Sequence, residues 1–155
     1  MRLVERLVYM RQKKILYPFV NIILLIFQVE IPKNVSIGSN LRLQHRGMGV
    51  VINPYTRIGQ NVTIYPGVII GSSTPWNDSL MVNYALKNGG GYCIDIQDDV
   101  TLCSGSKILC KDHITIAKGS IIAANAVLTC STGENEIWGG IPAKCIGKVS
   151  KSING

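Results

Sequence analysis

The chain has 155 residues, enough for one domain with a sizeable core and too few for two ordinary ones. Hydrophobic residues make up 46% and aromatics only 6%, which excludes disorder by composition and favours stacked β-branched side chains over a core filled by rings. The net charge of +7 suits a nucleic acid, a lipid surface or a phosphorylated cofactor; with no helix-turn-helix, zinc-finger or RNA-binding signature, nucleic acid is set aside as a partner.

Residues 1–27 read as an N-terminal helical segment, kinked or restarted at Pro18. Its basic residues Arg2, Arg6, Arg11, Lys13 and Lys14 face only Glu5. The apolar stretch 15–27 is about a dozen residues, short of the roughly 20 that span a bilayer, and it lacks a small-residue cleavage site. Its apolar face is expected to pack on the rest of the protein or on partner subunits. The alternative is a peripheral membrane contact, with the cations on phosphate headgroups.

From Ile31 an aliphatic residue returns every six positions: Ile31, Ile37 and Leu43, then Ile52, Ile58, Ile64 and Ile70. The series resumes at Ile96, Leu102 and Ile108, then Ile116, Ile122 and Leu128. A period of six fits neither a helix nor a plain strand. It fits a parallel β-helix in which each hexad forms one short strand and one corner, and three hexads complete a triangular coil. Thirteen hexads predict a little over four coils. The β-helix should occupy residues 28–133, capped at one end by the N-terminal segment, with a tail over 134–155 wrapping a flank or the other end.

Three interruptions break the period, and irregular loops on a rigid scaffold are where chemistry is expected. The first, between Leu43 and Ile52, holds His45 in a loop bordered by Gly47 and Gly49. Histidine takes and returns a proton near neutral pH, so His45 is the candidate general base. The second, residues 76–95, reads as a long loop ending in a run of three glycines. With Trp76, Tyr84 and Tyr92 it is expected to wall the site, emerging on the same side as the His45 loop. The third holds His113 in a polar turn and reads as a solvated corner.

The five cysteines form no Cys-x-x-Cys pair and stand at no zinc spacing from the histidines, so no metal site is predicted. Their irregular spacing reads as reduced thiols in a reducing, cytoplasmic compartment, with the inner face of the membrane as the place of any lipid contact.

The run Phe27-Gln28-Val29-Glu30-Ile31, with Ile37-Gly38, Leu43-Gln44-His45 and Gly49-Val50-Val51-Ile52, resembles the bacterial serine O-acetyltransferase family. It resembles still more an offshoot, the colanic-acid and capsular polysaccharide acetyltransferases. Trp138-Gly139-Gly140-Ile141-Pro142-Ala143-Lys144 is similar to the segment that borders the coenzyme A site in hexapeptide acyltransferases. The resemblance implies a left-handed β-helix, a homotrimer with sites between subunits, and acetyl-CoA as co-substrate. It implies His45 as catalytic base, oriented by Glu30 fifteen positions earlier. Gly105, Lys118, Ala124 and Lys144 would contact coenzyme A, the lysines on its phosphates.

Two departures bear on the acceptor. Gln44 stands where the serine enzymes carry Asp, and Gly91-Tyr92-Cys93-Ile94-Asp95-Ile96 replaces the run that holds their second active-site histidine. The expectation is therefore acetyl transfer to a small-molecule or glycan hydroxyl, with a sugar of surface polysaccharide biosynthesis first. The alternatives are a serine O-acetyltransferase of cysteine biosynthesis, a non-catalytic scaffold, and acyl-enzyme chemistry at Cys93.

Overall fold

The computed structural model describes residues 3–11, 13, 15–74, 79–87 and 91–150. Twelve of its short strands wind into four coils. They are β1 (Ser36–Ile37), β2 (Arg42–Leu43) and β3 (Val51–Ile52), then β4 (Thr56–Ile58), β5 (Thr63–Ile64) and β6 (Ile69–Ser72). The third coil is β7 (Ile94–Ile96), β8 (Thr101–Leu102) and β9 (Lys107–Cys110), and the fourth β10 (Ile114–Ile116), β11 (Ile121–Ile122) and β12 (Val127–Leu128).

Each strand pairs in parallel with the third strand after it. The first face of the prism is thus β1-β4-β7-β10, the second β2-β5-β8-β11 and the third β3-β6-β9-β12. This is the left-handed parallel β-helix. A parallel bridge from Glu30 to Val51 adds one more rung beneath β3, which brings the hexad of Ile31 into the stack.

The register explains the period. Ile58 pairs with Ile96, Ile64 with Leu102 and Ile70 with Ile108, so like sits on like along the axis. Of the thirteen periodic residues, all are buried except Ile37, which is partly buried against the same core. Burying each such side chain contributes about 1.5–3 kcal/mol. Packing only Ile, Val and Leu in layers needs few aromatic rings.

A stack of parallel strands leaves unpaired N–H and C=O groups at each end. Helix α1 (Leu3–Met10) meets those of the first coil with side chains. The Tyr9 hydroxyl donates to the Gly38 carbonyl at 2.7 Å and accepts the Leu41 N–H at 3.1 Å. Glu5 Oε1 accepts the Leu43 N–H at 3.1 Å. Just past α1, the buried Arg11 donates to the carbonyls of Val8, Val35 and Pro32 at 2.7, 2.6 and 3.3 Å. Burial pushes its guanidinium down to about 10, so it stays protonated at neutral pH. At the other end the second face is closed by backbone, while the Ser131 and Thr132 hydroxyls accept the Thr115 and Ala117 N–H groups of the first. Strand β13 (Glu136–Gly140) continues the second face beyond β11, and β14 (Ala143–Lys148) folds back antiparallel to it.

The chain turns between α1 and α2 (Tyr17–Ile26) and restarts one residue ahead of Pro18, in the first helical turn, where a missing N–H costs nothing. The second interruption differs from the expected loop. It holds a third helix, α3 (Ser79–Lys87), which inserts Met81 into the core at 2% exposure. Trp76, Gly89 and Gly90 lie outside the described residues.

Candidate active site

The three corners of the prism differ in chemistry. Between the first and second faces, successive coils turn through Asn40, Asn61 and Asp99, at φ of 59°, 56° and 60°. Asparagine and aspartate tolerate this left-handed region better than most residues. Here their side chains also pair along the axis: Asn40 Nδ2 donates to Asn61 Oδ1 at 3.1 Å, and Asn61 Nδ2 to Asp99 Oδ1 at 3.0 Å. The ladder fills this corner over three coils, and Gly119 turns the fourth at φ of 69°.

The corner between the second and third faces uses glycine instead. Gly49, Gly67 and Gly105 stack at φ of 71°, 71° and 70°, with Asn125 above them at 55°. A Cβ built on Gly49 would stand 3.5 Å from the Gly67 Cα, and one on Gly67 would stand 3.6 Å from the Gly105 Cα. One on Gly105 would run into Asn125 Oδ1. This column therefore presents bare backbone at Gly49 and Gly67, with the Asn125 side chain over Gly105.

His45 stands at the foot of that column. After Leu43, whose side chain fills the core, Gln44–Gly47 makes a tight left-handed turn. His45, Arg46 and Gly47 follow one another at φ of 50°, 65° and 68°. Left-handed backbone costs a non-glycine residue about 1 kcal/mol or more, and such strain persists where the surroundings over-determine it. They do here. The Val50 N–H donates to the Gly47 carbonyl at 3.0 Å, Gly49 N–H to Gln28 at 3.0 Å and Gly67 N–H to Met48 at 2.8 Å. Gly47 is buried, and a Cβ on it would meet Leu43 at 3.3 Å. The side chains of His45 and Arg46 are exposed. With Leu3, Val4 and Phe27 they line a cleft of about 360 Å³, in which the Arg46 guanidinium carbon stands 5.9 Å over the Phe27 ring.

The structure brings together some of the expected site residues and separates others. Gly105 and Ala124 share the His45 corner, two and three coils along, at about 10 and 14 Å for coils spaced about 4.8 Å apart. Lys118 sits at the asparagine corner, its ammonium 3.8 Å from Asp99. Lys144 lies on β14, exposed, opposite Gly139. Glu30 is fixed by backbone, its N–H on the Val50 carbonyl at 2.8 Å and its carbonyl on the Ile52 N–H at 2.9 Å. Its carboxylate is exposed, and among the described residues no hydrogen bond joins it to His45. Two solvated, flexible groups gain little by pairing in water.

The third corner, between the third and first faces, carries both remaining interruptions. Helix α3 and His113 belong to it, and the Tyr84 ring stacks on the His113 imidazole with centroids 4.8 Å apart at 25°. His113 is solvated as expected. The insertion and the His45 loop therefore leave opposite edges of the third face. The expectation that they emerge on one side of the chain is corrected: the insertion follows the third strand of its coil, whereas His45 follows the second. Cys93 is fully buried, and its thiol donates to the Met81 carbonyl at 3.3 Å. Burial pushes that thiol up to about 11, which removes it as a nucleophile at neutral pH.

Sequence reasoning missed Phe27, Arg46 and the full glycine column. The column does leave a signal, since Gly49 and Gly67 stand 18 positions apart, one exact coil. The interruptions then stretch the later spacings to 38 and 20.

No protein-family model matches the chain. It is 32% identical over 152 residues to a serine acetyltransferase of Staphylococcus xylosus, covering 97% of this chain and 63% of that protein. A serine acetyltransferase of Brucella abortus, solved in complex with coenzyme A, superposes with a TM-score of 0.69 at 27% identity, covering 94% of this chain and 54% of that one. The Neisseria gonorrhoeae serine acetyltransferase, solved in complex with serine, gives 0.66 at 27% identity over 88% of this chain and 50% of that one. The chain thus spans between about half and two thirds of the length of these relatives. These likenesses support the hexapeptide-repeat acetyltransferase family. The nearer kinship with polysaccharide acetyltransferases expected from the sequence finds no support in them.

Proposed function

We propose that this chain, as a hexapeptide-repeat acetyltransferase, moves an acetyl group from acetyl-CoA to an acceptor hydroxyl, with serine as the leading acceptor. The observation that carries the reading is the juxtaposition at one corner: an exposed histidine held in a strained turn, at the foot of a column of side-chain-free backbone. The relatives support serine. They also reverse the order of acceptors expected from the sequence, where a polysaccharide sugar stood first.

In this reading His45 removes the acceptor hydroxyl proton as the oxygen attacks the thioester carbonyl. The C–S bond then breaks, and His45 returns the proton to the departing thiolate. Backbone N–H groups of the His45 turn other than those of Gly49 and Val50, which are already bonded, would serve as donors to the developing oxyanion. The glycine column, Gly49 to Gly105, gives the pantetheine arm a path along the prism, with Ala124 beyond it. Lys118 and Lys144 are kept as phosphate contacts of the coenzyme, reached across a subunit boundary in a homotrimer. Glu30 is kept as the group that orients His45 once substrate excludes water from the corner, since charge pairs strengthen as water leaves.

A sugar hydroxyl remains as a second acceptor reading on one observation. Cys93, buried in the core, stands where the serine enzymes carry their second histidine, and Gln44 replaces their aspartate. The test is release of free coenzyme A from acetyl-CoA by the purified chain with L-serine, simple sugars and nucleotide sugars in turn. Release with serine is the expected result. Release with a sugar alone moves the assignment to the second reading, and the absence of release with every acceptor overturns the enzymatic one.

A further inference from the structure

Helix α2 has an inverted pattern. It buries only Val20 and Leu24 against the protein. Phe19, Ile22, Ile23, Leu25 and Ile26 face outward, with Ile26 73% and Phe19 68% exposed. At 100° per residue these five span an arc of roughly 160°, unbroken by any charged residue. An apolar face this wide is uncommon on a surface that meets only water, and it marks an interaction site.

The charges around the helix say what covers it. Lys13, exposed, is tied to the first turn of α2, its carbonyl accepting the N–H groups of Leu16 and Tyr17 at 3.0 Å. Arg46 stands over Phe27, the residue that caps the other end of α2. Arg6, also exposed, shares an α1 face with Leu3 and Met10, both exposed apolar residues, and Leu3 lines the same cleft as Phe27. No aspartate or glutamate occurs between Glu5 and Glu30, and Glu5 is buried against the Leu43 N–H. An apolar arc flanked by Arg6, Lys13 and Arg46, with no exposed anion along the chain from Arg6 until Glu30, complements acyl chains beneath anionic headgroups. A second copy laid on the same face would set these cations against their own kind. At ten residues α2 is about 15 Å long, and among the described residues no helix is long and apolar enough to cross a membrane.

We propose that α2 is an in-plane anchor that docks the chain on an anionic lipid bilayer. Phe27 and Arg46 also line the His45 cleft, so docking brings that cleft beside the headgroups. The proposal is independent of the reaction assigned to His45.

The test is co-sedimentation of the full chain with vesicles of phosphatidylcholine alone and of phosphatidylcholine mixed with phosphatidylglycerol. Binding to the mixed vesicles should be about tenfold or more stronger and should fall as salt is raised. The triple variant Ile22→Ser, Leu25→Ser, Ile26→Ser changes only exposed side chains; it should keep the parent's melting temperature and lose vesicle binding. The pair Arg6→Glu, Lys13→Glu should lose about tenfold on the mixed vesicles alone. The proposal is overturned if the parent stays in the supernatant, if both vesicle types bind it equally, or if the triple variant binds as the parent does. It is also overturned if sedimentation without lipid shows the triple variant in a smaller assembly than the parent while neither pellets, because the face is then an interface between copies.

Discussion

Two corners of the prism solve one backbone problem in different ways. Each must turn every coil through left-handed φ, near 55–71° at every step. The asparagine corner does so with Asn40, Asn61 and Asp99, whose side chains bond along the axis and fill the space. The glycine corner does so with Gly49, Gly67 and Gly105 and leaves the space beside Gly49 and Gly67 free of side chains, while Asn125 stands over Gly105. Because asparagine meets the conformational demand next door, φ alone does not require glycine in the second column. Room is what glycine adds at Gly49 and Gly67, on the corner that also carries His45. Under the proposed function, the contrast separates a corner built for stability from a corner that admits the coenzyme.

The largest expected effect removes the chemistry and leaves the corner standing. His45→Ala should lower kcat by about two to four decades, the usual worth of a general base. The side chain is exposed, and alanine loses little more than histidine in the left-handed turn, so the melting temperature should shift by no more than a few degrees. Steady-state kinetics within about threefold of the parent would show that the corner's room serves something other than this base.

Filling the room is the next test. Gly67→Asn puts into the glycine column the residue that the other corner already uses. Asparagine tolerates φ near 71°, and its Cβ meets only ordinary contact at 3.6 Å, so the fold should hold. Acetyl-CoA binding, read as the rise in melting temperature at saturating ligand, should weaken by about tenfold or more, roughly 1.4 kcal/mol. An unchanged rise would mean that the coenzyme does not run along this column.

A glycine pair then separates strain from crowding. Gly47 and Gly91 have nearly the same φ, 68° and 69°, but a Cβ on Gly47 would press Leu43 at 3.3 Å while one on Gly91 would meet nothing within 4 Å. Gly91→Ala should cost about 1–2 kcal/mol for the left-handed conformation alone, and Gly47→Ala about 1 kcal/mol more for the crowding. Chemical denaturation measures both. Equal costs would show that the His45 turn relaxes freely, and its strain would then be no part of its function.

How much of this was legible in the sequence follows from which contacts are local. The coil is local: one aliphatic residue per hexad writes the inward stack from Ile31 to Leu128 directly into the chain, and four coils with a thirteenth rung at Glu30 follow. His45 was legible because it interrupts that period. The end cap was not. Tyr9, Glu5 and Arg11 reach groups 21 to 38 positions away, and nothing in the α1 sequence says which edge groups they will meet. Helix α3 was hidden because a 3.6 period inside an insertion is invisible to a search at period six. The pairing of Glu30 with His45 rested on a spacing close to one coil. That spacing sets the rung, and two exposed side chains on neighbouring rungs are left free to turn elsewhere.

The smallest effect tests the asparagine corner from its own side. Asn61 donates to Asp99 and accepts from Asn40, both bonds exposed. Asn61→Gly keeps the backbone at ease at φ 56° and deletes only these two bonds. Exposed hydrogen bonds trade with water, so the loss should be about 0.5–1 kcal/mol. Glycine's extra freedom in the unfolded chain adds a few tenths of a kcal/mol. Asn61→Ala deletes the same bonds and adds left-handed strain, so it should cost about 1 kcal/mol more than the glycine variant. Neither change touches the glycine corner, so acetyl-CoA should still stabilise both variants, and any loss reports the Asp99–Lys118 pair at the asparagine corner rather than the glycine column. If Asn61→Gly instead proves neutral in denaturation, the ladder contributes nothing and asparagine is there for its φ. The two corners would then differ only in whether they leave room, which is the part of the comparison on which the function rests.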